Sequence, residues 1–197
     1  MARLFTADLH LGHVNIIEYS HRPFADVEDM NVALVEGWNA VVTDDDEVWV
    51  LGDLAMGRLE QSLAWVELLQ GAIVLVPGNH DSCAAYRKGA KKAEGLYPVS
   101  SIVQAPTSLV VGGQNVVVDH FPYKGDSGDQ DRYVDQRPVD RGRFLLHGHV
   151  HDRWRQRGRM INVGVDAWGG RPVAEGDLAA LIRDGENDQE VLPWIID

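Results

Sequence analysis

Residues 73–81, IVLVPGNHD, join a strand-like run to a turn that carries polar side chains. The four aliphatic residues 73–76 predict a short strand. A Pro-Gly pair ends the run, and Asn79 and His80 follow directly. This pattern favours an α/β fold with a site beyond the carboxyl end of a sheet.

The same pattern recurs on both sides of this stretch. Short apolar runs at five places end in side chains that bind metals: Asp8 and His10; Asp53; Asn79 and His80; His120; and His149 and His151. Because the loops beyond the carboxyl ends of strands in an open α/β sheet converge on one rim, we expect a single site. In an extended segment, residues i and i+2 point to the same side, so the pairs 8/10 and 149/151 are expected to converge. A glycine before Asp53, Asn79 and His149 predicts sharp turns that approach a bound ion.

Between these runs, the apolar spacing predicts helices. Asp26 is a good N-cap for a helix with an apolar face, and further helices are expected over 59–70 and around 83–92. After Pro98 the pattern changes to short β-branched runs, and a Gly-Gly pair at 112–113 indicates a hairpin. The chain is therefore expected to be α/β, with strand–helix–strand units followed by a hairpin-rich half.

The composition narrows the class of protein. A chain of 197 residues with 45% hydrophobic and 24% charged residues is typical of one globular domain, 1–197. A single cysteine, Cys83, excludes an intramolecular disulfide and a Cys-based zinc finger. The net charge of −12 makes long nucleic acid an unfavourable partner, since nucleic-acid affinity depends on cations that neutralise phosphates. The N-terminal sequence and the lack of a long apolar run predict a cytoplasmic protein without a membrane partner, and the oligomeric state stays open.

The candidate ligands are imidazoles, carboxylates and an amide, without sulfur. This donor set favours Mn²⁺, with Fe²⁺, Zn²⁺, Co²⁺ or Ni²⁺ as alternatives, over Mg²⁺ or Ca²⁺. Seven ligands are too many for one tetrahedral ion, so two divalent ions are expected, with an Asp between them. Such a pair deprotonates a water near neutral pH and neutralises phosphoryl oxygens, which indicates chemistry on phosphate esters.

Five blocks between Asp8 and His151, taken in this order, resemble the calcineurin-like metallophosphoesterase superfamily. The blocks are Asp8-x-His10, Gly52-Asp53, Gly78-Asn79-His80-Asp81, His120 and Gly148-His149-x-His151. Leu11-Gly12-His13-x-Asn15 and Asn162-Val163-Gly164-Val165-Asp166 look like a compact branch of bacterial and phage type. The resemblance implies a four-layer αββα sandwich with two mixed sheets and a dimetal site at the sheet rim.

The resemblance also implies roles for the motif residues. His80 would donate a proton to the leaving alkoxide or stabilise its charge. A hydroxide that bridges the two ions would attack phosphorus opposite the leaving group. The implied ligands are Asp8, His10, Asp53 and His151 for the first ion, and Asp53 as bridge, Asn79, His120 and His149 for the second.

Position 56, three residues after Asp53, departs from the pattern of the calcineurin-like family. Many family members carry an acidic residue there, followed by an Arg, and the acid orients the histidine of the Gly-Asn-His block. This chain has Met56 and Gly57. Either Asp81 or another carboxylate replaces the acid, or His80 stays mostly neutral. The missing Arg removes a clamp for a dianionic monoester, which shifts the expectation towards phosphodiesters.

The sequence therefore favours a metal-dependent phosphodiesterase that acts on small phosphodiesters, with cyclic nucleotides among the candidates. The alternatives are a nuclease, a phosphomonoesterase such as a protein phosphatase, and a catalytically silent scaffold. Arg22 and His13 are expected to face the substrate; an exposed loop arginine and a supporting or surface histidine are the competing interpretations. The polar segment 121–143 is either a lid or specificity wall, or a surface loop.

Overall fold

The computed structural model describes residues 1–195, so the last two residues of the predicted domain 1–197 lie outside it. Two mixed β-sheets form the molecule, with strand orders β10-β1-β2-β3-β4 and β11-β8-β9-β7-β6-β5. The strands are β1 Arg3–Thr6, β2 Glu47–Val50, β3 Ala72–Leu75, β4 Ser101–Ile102, β5 Thr107–Val111, β6 Gln114–Val118, β7 Leu145–His147, β8 Gln156–Gly158, β9 Met160–Asn162, β10 Val173–Ala174 and β11 Asn187–Gln189. This arrangement confirms the predicted fold class.

The first sheet is built from parallel strands linked by helices. Strands β1 to β4 lie side by side in chain order, and β10 pairs antiparallel with β1. The helices are α1 Ile16–Tyr19, α2 Val27–Asn39, α3 Leu59–Ala64, α4 Ala90–Ala93 and α5 Glu175–Asp184. The predicted helix after Asp26 is confirmed, since the Asp26 carboxylate accepts hydrogen bonds from the amides of Glu28 and Asp29.

The second sheet begins with the predicted hairpin. Strands β5 and β6 pair antiparallel on either side of the Gly-Gly turn, and β6, β7 and β9 run parallel to one another. Strands β8 and β11 extend the sheet in antiparallel fashion. The carboxyl ends of β6 and β7 thereby join those of β1, β2 and β3 at one end of the sandwich.

Two apolar clusters hold these layers together. The cluster between the sheets contains Phe5, Leu51, Val76, Val118, Leu146 and Ile161, together with Leu178 and Ile182 of α5. The cluster on the outer side of the first sheet contains Met30, Leu34 and Trp38 of α2 and Leu63 of α3. On the outer face of the second sheet, three buried side chains pack against Tyr123, at the start of the long polar segment: Val117, Leu145 and Met160.

Two helix predictions differ from the structure. The helix expected over 59–70 ends at Ala64 and continues as a short 3-10 turn. The helix expected around 83–92 is wrong except for α4. Two of its backbone groups bind a distant side chain instead. Gln104 Nε2 donates to the Cys83 carbonyl, and Gln104 Oε1 accepts from the Ala85 amide. Gly89, at φ 83°, stands immediately before α4.

No helix in the described part of the chain is both long enough and apolar enough to cross a membrane.

The α2 cap provides a first test of the fold. Asp26→Ala removes the acceptor for two amides and is expected to lower the free energy of unfolding by about 1 kcal/mol. The measurement is urea unfolding followed by circular dichroism. Glu36→Ala, at the exposed far end of α2, serves as the control and should change stability by less than about 0.5 kcal/mol. Equal losses in both variants would contradict the capping role.

Candidate metal centre

The seven predicted ligands meet at the rim formed by the ends of β1, β2, β3, β6 and β7. Six of them are buried, and the His151 side chain is 14% exposed. Three of the five loops come from the first sheet and two from the second. The predicted ligands therefore lie together at one rim, where the ends of strands from the two sheets meet.

The first group of ligand atoms belongs to Asp8, His10 and His151. His10 Nε2 lies 3.3 Å from His151 Nε2. His151 Nε2 lies 3.9 Å from Asp8 Oδ1. The donor atoms of Asp8, His10 and His151 are close enough together to hold one ion.

A second group lies beside the first. Asn79 Oδ1 is 3.0 Å from His120 Nε2 and 3.0 Å from His149 Nδ1. Asp53 Oδ2 lies 3.6 Å from His10 Nε2 and 3.6 Å from His120 Nε2. One carboxylate oxygen thus stands between the two groups, which is the position expected of a bridging ligand.

The protonation states suit metal binding. Burial lowers the pKa of His120 to about 4 and that of His149 to about 3, so both imidazoles are neutral near pH 7. Burial raises the pKa of Asp53 to about 6, and burial and the Asp53 charge raise the pKa of Asp8. The seven side chains therefore present free electron pairs of neutral imidazoles, carboxylates and an amide. This donor set fits divalent ions.

The backbone at five of these residues is left-handed. Asp8, His10, Asp53, His149 and His151 have φ between 49° and 71°. The donor atoms of the pair 8/10 converge as predicted, whereas His149 and His151 lie in different ligand groups. The stated reason is wrong for both pairs, because these segments are not extended. Non-glycine residues rarely adopt this conformation, and it concentrates at functional sites.

Two glycines make room for ligand side chains. A Cβ at Gly78 would lie 2.4 Å from Asp53 Oδ1, and one at Gly52 would lie 2.4 Å from His120 Nδ1. The sequence indicated an approach of these glycines to an ion. In the structure their close neighbours are the side chains of predicted ligands.

Hydrogen bonds from outside the ligand set orient the loops. The Asp81 carboxylate accepts from the amides of Asp53 and Gly78 at 2.7 and 2.8 Å. His120 Nδ1 lies 2.8 Å from the Leu51 carbonyl, to which it donates as a neutral ring, leaving Nε2 free. The Asn162 side-chain amide donates to the His151 carbonyl at 2.8 Å.

A cleft of about 630 Å³ opens over the site. Its wall includes His13 and His80, together with Met56.

The His80 side chain is 35% exposed, and its Nε2 lies 4.0 Å from Asp53 Oδ2. Asp81 does not orient His80, because its carboxylate is bound to backbone amides. Burial lowers the pKa of His80, which favours the neutral imidazole.

Arg22 does not face the cleft. Its side chain is fully buried, and its guanidinium binds Asp166 at 2.8 and 2.9 Å. It also donates to the carbonyls of Asp8 and Leu9, at 2.6 and 2.9 Å. The expectation that Arg22 contacts a substrate is therefore corrected: it supports the turn that carries Asp8.

Sequence reasoning missed two residues of this site. Asp126 Oδ2 lies 3.3 Å from His149 Nε2, and Arg132 lines the cleft and pairs with Asp126 at 2.6 Å. Both belong to the segment 121–143, which contains several Asp and Arg residues without periodicity. Nothing in its pattern distinguishes Asp126 from its acidic neighbours.

Comparison with known proteins places this geometry in a family. The calcineurin-like phosphoesterase model matches residues 1–184. The chain belongs to this family. Its members hydrolyse phosphoester bonds with two metal ions, so the chain is a metal-dependent phosphoester hydrolase.

Relatives occur in phages and archaea. The Gene 66 protein of Mycobacterium phage L5 is 34% identical, over 95% of this chain and 97% of that protein. The uncharacterized protein MJ1445 of Methanocaldococcus jannaschii is 48% identical, over 91% of this chain and 90% of that protein. A solved structure of a protein of unknown function, AQ665 from Aquifex aeolicus, shares the fold with a TM-score of 0.68 at 23% identity, covering 91% of this chain and 98% of that one.

Arg22 offers a test that separates support from substrate binding. Arg22→Met leaves the buried Asp166 carboxylate without its partner and is expected to lower the free energy of unfolding by about 3–5 kcal/mol. The double variant Arg22→Met/Asp166→Leu should recover part of this loss. Urea unfolding measures both, with the exposed Arg58→Met as control. A raised KM with unchanged stability would instead indicate a substrate contact.

Proposed function

We propose that this protein is a phosphodiesterase for small phosphodiesters, with cyclic nucleotides among the candidate substrates. The observation that carries the proposal is the position of Asp53 Oδ2, 3.6 Å from a histidine nitrogen of each ligand group. This arrangement supports a centre with two ions that share one carboxylate. Mn²⁺ is the first candidate for both ions, since the donors are nitrogen and oxygen only.

The proposed ligands divide as the family resemblance implies. When bound, the two ions lower the pKa of a water molecule and neutralise charge on the phosphoryl oxygens. The chain holds the ligands in neutral or anionic form, buried away from solvent. The ligands proposed for the first ion are Asp8, His10, Asp53 and His151, and those for the second are Asp53, Asn79, His120 and His149.

His80 and His13 are the proposed contacts of the substrate. The His80 side chain is 35% exposed in the wall of the cleft, where its imidazole can donate a hydrogen bond or a proton to the leaving oxygen. His13 stands beside it, with ring centroids 6.3 Å apart. His80 has no orienting carboxylate of the family's usual type, so we expect a smaller catalytic contribution than an imidazolium would give.

The charge of the cleft favours a diester. Among the described residues that line it, Arg132 is the one lysine or arginine, and its guanidinium is already paired with Asp126. Met56 lies in the wall, and Gly57 follows where an arginine is usual. A dianionic monoester would therefore find little positive charge in the cleft besides the two ions. A diester carries one negative charge fewer and needs less positive charge to bind.

The size and charge of the protein favour a small substrate. The cleft volume of about 630 Å³ is typical of sites for small molecules. The net charge of −12 opposes the approach of a long polyanion.

Removal of the metal tests the proposed reaction. Chelation followed by gel filtration should abolish hydrolysis of bis-p-nitrophenyl phosphate, and Mn²⁺ should restore it. The value of kcat/KM for this diester should exceed that for p-nitrophenyl phosphate. His120→Ala and Asn79→Ala should abolish turnover, whereas His21→Ala, at a side chain that is 85% exposed, should not.

Each other outcome points elsewhere. Activity that survives chelation would contradict the proposed metal dependence. The absence of activity with any metal would contradict the enzyme assignment and favour a catalytically silent scaffold. Faster cleavage of the monoester would overturn the diester preference. Faster cleavage of single-stranded DNA than of the small diester would indicate a nuclease.

His80 is tested by the leaving group. His80→Ala should reduce kcat more for a diester with an alkoxide leaving group than for one that releases p-nitrophenolate, because the poorer leaving group depends more on the donated hydrogen. Steady-state rates for a matched pair of diesters measure the difference, again with His21→Ala as control. Equal losses on both diesters would contradict the role of His80 as a donor.

A further inference from the structure

We propose that Asp126 is a positioning residue that orients His149 towards the second ion, so that the long segment 121–143 completes the metal centre from outside the ligand set. The inference deepens the proposed function and rests on it. It concerns a contact that the sequence pattern does not reveal.

The His149 ring has an oxygen on each side. Its Nδ1 lies 3.0 Å from Asn79 Oδ1, within the ligand group. Its Nε2 is buried, and the Asp126 Oδ2 atom lies 3.3 Å away. Among the described residues this is a close charge contact without the alignment of a hydrogen bond, so the carboxylate acts on the ring through its charge. A neutral imidazole carries one proton. A carboxylate at Nε2 draws the proton to that nitrogen and leaves the Nδ1 electron pair directed at the ion.

The Asp126 carboxylate is itself fixed. Its side chain is 2% exposed. It accepts hydrogen bonds from the Arg132 guanidinium at 2.6 Å, from the Arg132 amide at 2.9 Å and from the Gly128 amide at 3.3 Å. The turn 126–132 is thus closed around this carboxylate, which has little freedom to leave His149.

Aromatic rings from the same segment enclose the imidazole. Phe121 and Tyr133 contact the His149 ring, with centroids 5.0 and 5.6 Å away. These two rings also stack on each other, 5.2 Å apart. Packing therefore sets where the imidazole lies, and Asp126 sets which nitrogen faces the ion.

The other imidazoles of the site do not use this device. His120 binds a backbone carbonyl through its second nitrogen, and His151 lies 3.0 Å from the Ser20 hydroxyl. For His10, the second nitrogen has no hydrogen-bond partner among the described residues. Loss of Asp126 should therefore weaken the second ion and leave the first nearly unchanged.

Calorimetric titration of the chelated protein, residues 1–197, with Mn²⁺ tests the inference. Wild type should bind two ions. Asp126→Ala should weaken one of the two binding events about 10–100-fold and leave the other within about twofold. Asp126→Asn, which keeps the shape but not the charge, should lie between them. Asp129→Ala is the matched control, because Asp129 is in the same turn with a fully exposed side chain.

The competing results are distinct. Wild type that binds fewer than two ions would overturn the proposed dimetal function rather than the role of Asp126. Two unchanged binding events in Asp126→Ala, or equal losses in Asp129→Ala, would overturn the role of Asp126. If Asp126→Ala fails to fold, as judged by circular dichroism, Asp126→Asn decides: an unchanged titration refutes the inference.

Discussion

The structure depends on the burial of three carboxylates, Asp8, Asp53 and Asp81, at one rim. Burial raises the pKa of each, and the values for Asp53 and Asp81 reach about 6. Such groups are costly to bury in ionised form unless partners compensate them. The Asp81 carboxylate accepts hydrogen bonds from the amides of Asp53 and Gly78, and these bonds connect the two loops. Asp8 and Asp53 face imidazoles that burial keeps neutral, so divalent cations are the compensation that their surroundings fit.

This constraint explains the organisation of the surrounding loops. Residues distant in the chain support each ligand turn: Asp166 holds Arg22 against the carbonyl of Asp8, and Asn162 holds that of His151. The Arg22–Asp166 pair connects a loop of the first sheet to one of the second, whereas the Asn162 bond joins two segments of the second sheet. The region proposed to perform the chemistry is therefore also a mechanical junction of the sandwich, and rigidity of the ligands follows from the packing of the two sheets.

The sequence predicts what is local and repeated. Strands that end in Asp or His, the cap at Asp26 and the hairpin at 112–113 all follow from short-range patterns, and the structure has them. It does not predict what depends on distant partners. Arg22 is predicted to face the substrate because its actual partner, Asp166, is 144 residues away and is not visible in the local sequence. The segment around Cys83 is predicted to be helical because the local sequence does not show that its carbonyl is bound by Gln104. Asp126 lies in a segment without periodicity, so its contact with His149 is visible only in three dimensions.

The left-handed backbone at five ligand positions has a consequence for divergence within the family. Asp, Asn and His enter this conformation far more readily than β-branched or bulky residues do. Substitutions at Asp8, His10, Asp53, His149 and His151 are thus filtered twice, by donor chemistry and by the main chain. A change of metal preference is therefore expected to use exchanges among Asp, Asn and His, because most other side chains are disfavoured by the left-handed backbone at these positions.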